Sequence, residues 1–141
     1  MKKLISQLLI SASLIFLFSF QAVASIAVIV NPTNDATLSN KEIQRIFLKK
    51  AKKYPNGLSA IPVTQTPDAN ITSQFNKAVL NKSDSQVKAY WAKLGFTGKG
   101  KPPQKAADNA AIKSMIANNP SMIGYIDDSM VDSSIKVIAT F

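Results

Sequence analysis

The sequence contains no cysteine and no histidine among its 141 residues. Without cysteine the chain has no disulfide and no thiol nucleophile, and without histidine it has no Ser-His-Asp triad and no histidine-ligated zinc. Asp127 and Asp128 are adjacent carboxylates, but neighbouring strand residues point to opposite faces of a sheet and do not easily share an acid–base site. We therefore expect a protein that is not an enzyme, with no catalytic residues, no metal and no cofactor.

Arginine is almost absent as well, since Arg45 is the single one, whereas lysine is abundant and the net charge is +9. Base readout in DNA relies mainly on bidentate arginine, so this balance argues against a nucleic-acid partner. A lysine-rich chain instead suits solubility, an anionic ligand or an acidic envelope surface. The basic run Lys49–Lys53 is expected to stabilise the carboxyl end of a helix, and its alternative is a docking patch for an acidic partner.

The first 24 residues have the pattern of a secretory signal peptide. Lys2 and Lys3 precede an apolar run from Leu8 to Phe20, and Ala22-Val23-Ala24 forms an A-x-A cleavage site. A retained anchor is the alternative, although the apolar run is short of the roughly 20 residues that span a bilayer. We expect residues 25–141 to form one exported domain with no integral membrane segment after cleavage.

The remaining chain alternates apolar strand-like runs with amphipathic helical segments, an order typical of an α/β fold with a mixed sheet flanked by helices. Strands are expected at 25–30, 60–63, 121–127 and 135–141, and helices after Ser39, from about 70 to 80, from 84 to 94 and from 108 to 118. Ser39 and Glu42 have the spacing of a capping box. Gly124 indicates a close approach of another backbone or a ligand.

The helix from 84 to 94 carries Val87, Tyr90, Trp91 and Leu94 at helical spacing. This spacing predicts an apolar stripe in the core. The single tryptophan, Trp91, is expected to be a core anchor rather than a stacking platform.

The segment Ala60–Leu80 is the one that points to a ligand. A short apolar run ends in a polar loop, and a helix containing Phe75 follows, so several backbone N–H groups converge at the start of that helix. Such a corner is a ready site for an anion or a polar ligand. The alternative is an ordinary strand–helix connection closed by a capping residue.

Several motifs together resemble a known family. They are VIVNPTN (28–34), LSNKEIQRIFLKK (38–50), YPNG with IPV (54–63), QFNKAVL (74–80), KAYWAKLGFTGKGKPP (88–103) and MIGYID (122–127). The set is similar to small periplasmic proteins described as phosphate ABC transporter substrate-binding proteins. These are related to one lobe of the PstS-type, type 2 periplasmic binding protein fold.

The resemblance implies a single three-layer lobe with a mixed β-sheet and a phosphate site at a helix N-terminus. The family's helix phenylalanine matches Phe75, Gln65 stands about where its clamp arginine is expected, and Thr72 stands where small relatives often carry an arginine. The candidate ligand residues are Gln65, Thr66, Asn70, Thr72 and Ser73, with Asn31 and Thr33 leaving the first strand as a second wall.

Two functions follow as expectations. The first is a non-catalytic periplasmic solute-binding protein for phosphate or a related small oxyanion, with weak affinity because one lobe encloses an anion poorly. The second is an interaction module derived from a binding lobe, which docks on an envelope protein or transporter through its lysine-rich surface and takes no ligand. Salt-sensitive capture from envelope extract distinguishes the second from the first.

Overall fold

The computed structural model describes residues 25–141, and the predicted signal peptide at 1–24 lies outside the described residues. Residues 25–141 form five strands and four α-helices, and a short 3-10 turn at Asp128–Met130 precedes the last strand. The elements are β1 Ile26–Val30, α1 Asn40–Phe47, β2 Ile61–Gln65, α2 Asn70–Ala78, α3 Asp84–Phe96, β3 Gln104–Ala106, α4 Asn109–Asn118, β4 Met122–Asp127 and β5 Lys136–Thr140. Within residues 25–141, no helix is both long and apolar enough to cross a bilayer.

The strands form one mixed sheet in the order β3-β2-β4-β1-β5. β2 runs parallel to β3 and β4, whereas β1 is antiparallel to both of its neighbours. The expected α/β fold with a mixed sheet is therefore confirmed.

Helices cover both faces of the sheet, which is why β1 is buried along its whole length. Its residues alternate between two cores: Ile26, Val28 and Val30 pack with α1 and α2, and Ala27 and Ile29 pack with α4. Both neighbours of β1 are antiparallel, so its continuous apolar sequence reflects burial on two faces rather than the parallel pairing typical of such runs.

Of two local predictions, the capping box is confirmed and the one at Gly124 is wrong about the neighbour. Ser39 accepts from the Glu42 backbone N–H, and the Glu42 carboxylate accepts from the Ser39 backbone N–H (2.7 Å), which completes the capping box. At Gly124, an added Cβ would lie 2.8 Å from Cγ2 of Ile112. The close approach at Gly124 is thus made by side chains of helix α4, and not by the other backbone or the ligand that the sequence analysis expected.

The expected core stripe of α3 is wrong, because no residue of this helix is buried. Val87 and Tyr90 reach the core only in part, Trp91 remains partly exposed, and Phe96 is 95% exposed. Helical spacing showed which residues share a face, but the packing partner had to come from elsewhere in the chain. The short edge strand β3 was also missed, because its sequence Gln-Lys-Ala has no apolar alternation.

Candidate functional site

The candidate site lies where β2 ends and α2 begins. After Gln65 the chain turns through Thr66–Ala69, and the Ala69 N–H donates to the Thr66 carbonyl (3.1 Å). Pro67 and Asp68 are exposed at the tip of this turn, and Thr66 is partly buried beneath it. The predicted strand, polar loop and helix therefore occur in the expected order, with β2 ending two residues later than predicted.

A buried hydrogen-bond network holds this corner from below. The Tyr125 hydroxyl accepts from the Gln65 backbone N–H (3.1 Å) and donates to Thr72 Oγ1 (3.1 Å), and Thr72 Oγ1 donates to the Thr66 carbonyl (2.8 Å). Burial raises the pKa of Tyr125, although hydrogen bonds with Thr72 and Gln65 oppose the rise. The hydroxyl consequently stays protonated and joins β4 to both sides of the corner.

The Gln65 side chain belongs to the same network. Its Nε2 donates to Oδ1 of Asn109 (2.7 Å) and to the Tyr125 carbonyl (3.2 Å), and the residue is 3% exposed. The same Asn109 oxygen accepts from the Asp127 N–H (3.2 Å). Because both amide hydrogens of Gln65 already have acceptors, its side chain tethers β2 to α4 and β4.

Aromatic packing fixes α2 from its other side. The ring of Phe75 stacks on Tyr125 with centroids 3.9 Å apart, and Phe47 meets Phe75 edge-on at 4.7 Å. All three rings are at most 1% exposed. The phenylalanine that carried the resemblance is thus a core residue that orients the helix.

The start of α2 differs from that of the other helices. Ser39, Ser83 and Asp108 each accept a backbone N–H at the start of α1, α3 and α4, whereas the N-cap of α2 is Ala69, which has no side-chain acceptor. The first-turn amides of a helix need an external acceptor when no cap supplies one. In α2 the Thr72 N–H donates to the Ala69 carbonyl (3.0 Å), which leaves the amides of Asn70 and Ile71. The structure therefore excludes the alternative in which a capping side chain closes the connection between β2 and α2.

The predicted site residues fall into three groups, two of which lie at the corner. Gln65 and Thr72 are buried and hydrogen-bonded within the protein, whereas Thr66, Asn70 and Ser73 are partly or fully exposed at the corner. The pKa of nearby Asp84 lies below its usual range, mainly because of a hydrogen bond from Asn76 and to a smaller extent because of one from Ser73. The corner thus combines an exposed helix start with hydroxyl and amide side chains.

Asn31 and Thr33 lie at the opposite edge of the sheet. β1 ends beside Ile123 and β2 begins beside Met122, so the carboxyl ends of β1 and β2 point in opposite directions. Asn31 Nδ2 donates to the carbonyls of Ile116 (3.1 Å) and Ala117 (2.9 Å) and so closes the end of α4. Its Oδ1 accepts from the Thr33 hydroxyl (2.7 Å).

This separation has a plain cause. The sequence placed Asn31 at the end of a strand, but the antiparallel pairing of β1 decided which edge that end would reach. Asn31 and Thr33 instead border a shallow depression with Asn118 and Ser134. The structure does not bring them to the β2–α2 corner.

Sequence reasoning missed Tyr125 and Asn109. The sequence indicates only that Tyr125 belongs to a strand and that Asn109 lies at the start of a helix. Their partners are 60 and 44 residues away along the chain, so no local pattern identified them.

It also missed an apolar cavity of about 490 Å³ between α2, α3 and the loop before β3. This cavity adjoins the corner, since Pro67 and Thr72 contribute to its wall.

Comparison with solved structures shows what this fold is similar to. A Clostridium perfringens protein of the phosphate ABC transporter substrate-binding type, solved with bound phosphate, aligns with a TM-score of 0.64 and 22% identity over 82% of this chain and 45% of its own. An ABC-type phosphate transport receptor from Vibrio cholerae aligns with a TM-score of 0.63 and 18% identity, over 82% and 46%. PstS from Borrelia burgdorferi aligns with a TM-score of 0.59 and 14% identity, over 82% and 47%.

These similarities define the fold and not the ligand. The chain spans about half the length of each of these proteins and has the fold of a PstS-like fragment. No protein-family model matches the chain, and no curated protein sequence matches it.

Proposed function

We propose that this chain, which shares the fold of about half of a phosphate transport receptor, is a non-catalytic periplasmic solute-binding protein for phosphate or a similar small oxyanion. The anion binds at the start of α2, where Ala69 leaves the first-turn amides without a side-chain acceptor. That missing cap is the observation that carries the proposal, because backbone N–H groups at a helix start favour an anion.

Polar side chains around the helix start support this position. Thr66, Asn70 and Ser73 lie on the loop and first turn and are partly or fully exposed, and Ser73 also forms a hydrogen bond with Asp84. Gln65 and Thr72 act indirectly, since their internal hydrogen bonds hold the loop and α2 together. The net charge of the chain attracts an anion over a longer range.

Binding is expected to be weak. No cationic side chain belongs to the 65–73 segment, and Asp68 at its tip is an acid that repels a fully ionised phosphate. A corner open to solvent also encloses a ligand less completely than a cleft does. We expect a dissociation constant near the millimolar range, corresponding to about 4 kcal/mol.

The proposal is tested by titrating phosphate into residues 25–141 at low ionic strength in a calorimeter. The decisive variant is Ala69→Asp, which supplies the missing cap at a residue whose φ of −67° and ψ of 129° already suit an N-cap. Its carboxylate accepts from the same amides and repels the anion. We expect phosphate binding to be lost while the fold becomes more stable by about 1 kcal/mol.

Ala110→Asp is the matched control, because Ala110 is an exposed residue in the first turn of α4 and the change in net charge is the same. Phosphate binding should survive in this variant. No heat from the wild-type protein at millimolar phosphate, or equal binding by Ala69→Asp, contradicts the proposal.

The interaction-module alternative rests on the basic run after α1. Lys49, Lys50, Lys52 and Lys53 are all exposed, and no acidic residue occurs between Glu42 and Asp68. The run also closes the helix, since the Lys49 N–H donates to the Ile46 carbonyl (2.9 Å) and Lys49 has a φ of 54°. Capture of an envelope protein by the wild type, lost in high salt and in a variant with these lysines changed to glutamine, would favour docking over phosphate binding.

A further inference from the structure

The surface of the cavity behind the β2–α2 corner is mostly apolar. Phe47, Phe75 and Leu80 border it but are at most 5% exposed, whereas Val87 and Trp91 of α3 and Pro102 of the loop before β3 are at least partly exposed. Its volume of about 490 Å³ is within the range of pockets that hold small organic ligands. The proposed phosphate position lies outside it, since Ala69, Asn70 and Ile71 do not line the cavity.

The cavity exists because α3 is attached to the rest of the fold at few points. The Tyr90 hydroxyl donates to the Leu48 carbonyl (2.7 Å), and Asn76 Nδ2 donates to Asp84 (3.0 Å) at the start of the helix. No α3 residue is buried, so the apolar side chains facing the sheet do not fill the space beneath them. Exposed apolar surface of this kind favours a ligand that replaces water.

Two lysines stand at the mouth of the cavity. Lys88 projects from α3 and Lys105 from β3, both are exposed, and both line the opening. Among residues 25–141, neither lysine takes part in an ion pair. Asp84, the one carboxylate among the described residues that line the cavity, already accepts a hydrogen bond from Asn76 and lies in the first turn of α3, where the helix dipole stabilises it.

We propose that this cavity is a second binding site, for one small amphipathic organic anion. The apolar body lies against Val87, Trp91 and Pro102, which are at least partly exposed, and a singly charged head such as a carboxylate contacts Lys88 and Lys105. An apolar surface beside two lysines favours this class of ligand over inorganic phosphate, which has no apolar part. It also favours this class over a neutral hydrocarbon, which makes no charge-assisted contact with the lysines.

Trp91 provides the measurement, because it is the only tryptophan in the sequence and it lines the cavity. Octanoate is the probe and octan-1-ol is its neutral counterpart with the same chain length. We expect octanoate to shift the Trp91 emission to shorter wavelength with saturation at one molecule per chain, as it displaces water from the ring. Octan-1-ol should bind about tenfold more weakly, as expected for the loss of a charge-assisted contact.

Lys88→Glu and Lys93→Glu form a matched pair, since both lysines are exposed on α3 and only Lys88 lines the cavity. Lys88→Glu should weaken octanoate binding about tenfold and leave octan-1-ol binding unchanged, and Lys93→Glu should alter neither. Equal binding of the two probes, or equal effects of the two variants, overturns the proposal. So does a blue-shifted Trp91 in a dimer detected by light scattering without any probe, because a second copy would then fill the cavity.

Inorganic phosphate is the last arm of the experiment. It should leave the Trp91 emission unchanged and should not displace octanoate. Displacement of octanoate by phosphate at constant ionic strength contradicts a separate site. If phosphate binds nowhere while octanoate binds as described, the proposed phosphate function fails and the organic-anion site stands.

Discussion

Removing the Tyr125 hydroxyl is the most informative single change at the corner. Tyr125→Phe keeps the ring stacked on Phe75 at 3.9 Å but deletes the oxygen that accepts from the Gln65 N–H and donates to Thr72. The change therefore isolates the hydrogen-bond network from the aromatic packing.

The expected cost follows from which groups are left without partners. Gln65 is 3% exposed, so its backbone N–H loses its acceptor in a place that water does not easily reach. Leaving a buried donor unsatisfied costs about 1–3 kcal/mol. Thr72 keeps its own bond to the Thr66 carbonyl, so its contribution is smaller. We expect a loss of about 2 kcal/mol in the free energy of unfolding, or a Tm lower by about 8 °C.

Urea unfolding followed by far-UV circular dichroism measures this loss. Tyr90→Phe is the control, because its hydroxyl donates one bond to the Leu48 carbonyl from a partly exposed position. That variant should lose about 1 kcal/mol or less, since water can replace the lost donor. The reasoning is refuted if Tyr125→Phe unfolds at the wild-type urea concentration, or if Tyr90→Phe costs as much as Tyr125→Phe.

Three further predictions concern the rest of the fold. Gly124→Ala should destabilise the protein by about 1–3 kcal/mol in thermal unfolding, because the new Cβ would meet Ile112 at 2.8 Å, and an unchanged Tm would contradict this. Asn31→Ala should cost about 2 kcal/mol in urea, since α4 loses two bonds at its end, and it should leave phosphate binding intact if the ligand lies at the other edge of the sheet. The hydrogen bond from Lys113 lowers the pKa of Asp132 from 3.8 to about 2, so this carboxylate stabilises the fold above pH 4 and the contribution is lost as the pH falls towards 2. Asp132→Asn should therefore show a smaller loss of stability than the wild type between pH 4 and pH 2, and identical pH profiles would count against the ion pair.

Local sequence signals predicted most of the fold. Ser39 with Glu42 marked the start of α1, Asp108 lies at the start of α4 as expected, and the apolar run before Asn31 became a buried strand. Caps and apolar periodicity depend on residues a few positions apart, so they can be read without knowing the tertiary structure. The prediction of a buried stripe on α3 was wrong because burial needs a partner surface, and the sequence of the helix does not show whether such a surface exists.

The candidate site was predicted less completely. The polar corner before Phe75 occurs where the sequence indicated, but the hydrogen bonds of Gln65 and Thr72 to Tyr125 join segments more than 50 residues apart. Whether a polar residue faces solvent or a buried acceptor cannot be read from its neighbours along the chain. Its role as a ligand contact or as a support therefore depends on tertiary packing.

Composition and short-range spacing by themselves determined that this is an α/β domain without cysteine or histidine chemistry, and where most of its helices start. Only the tertiary structure decided that Asn31 and Gln65 lie at opposite edges of the sheet, that α2 begins without a cap, and that α3 leaves an apolar cavity lined by Trp91. The physical reason is range: helix caps and periodic faces are set within one or two turns of chain, whereas strand direction and cavities arise from contacts between distant segments.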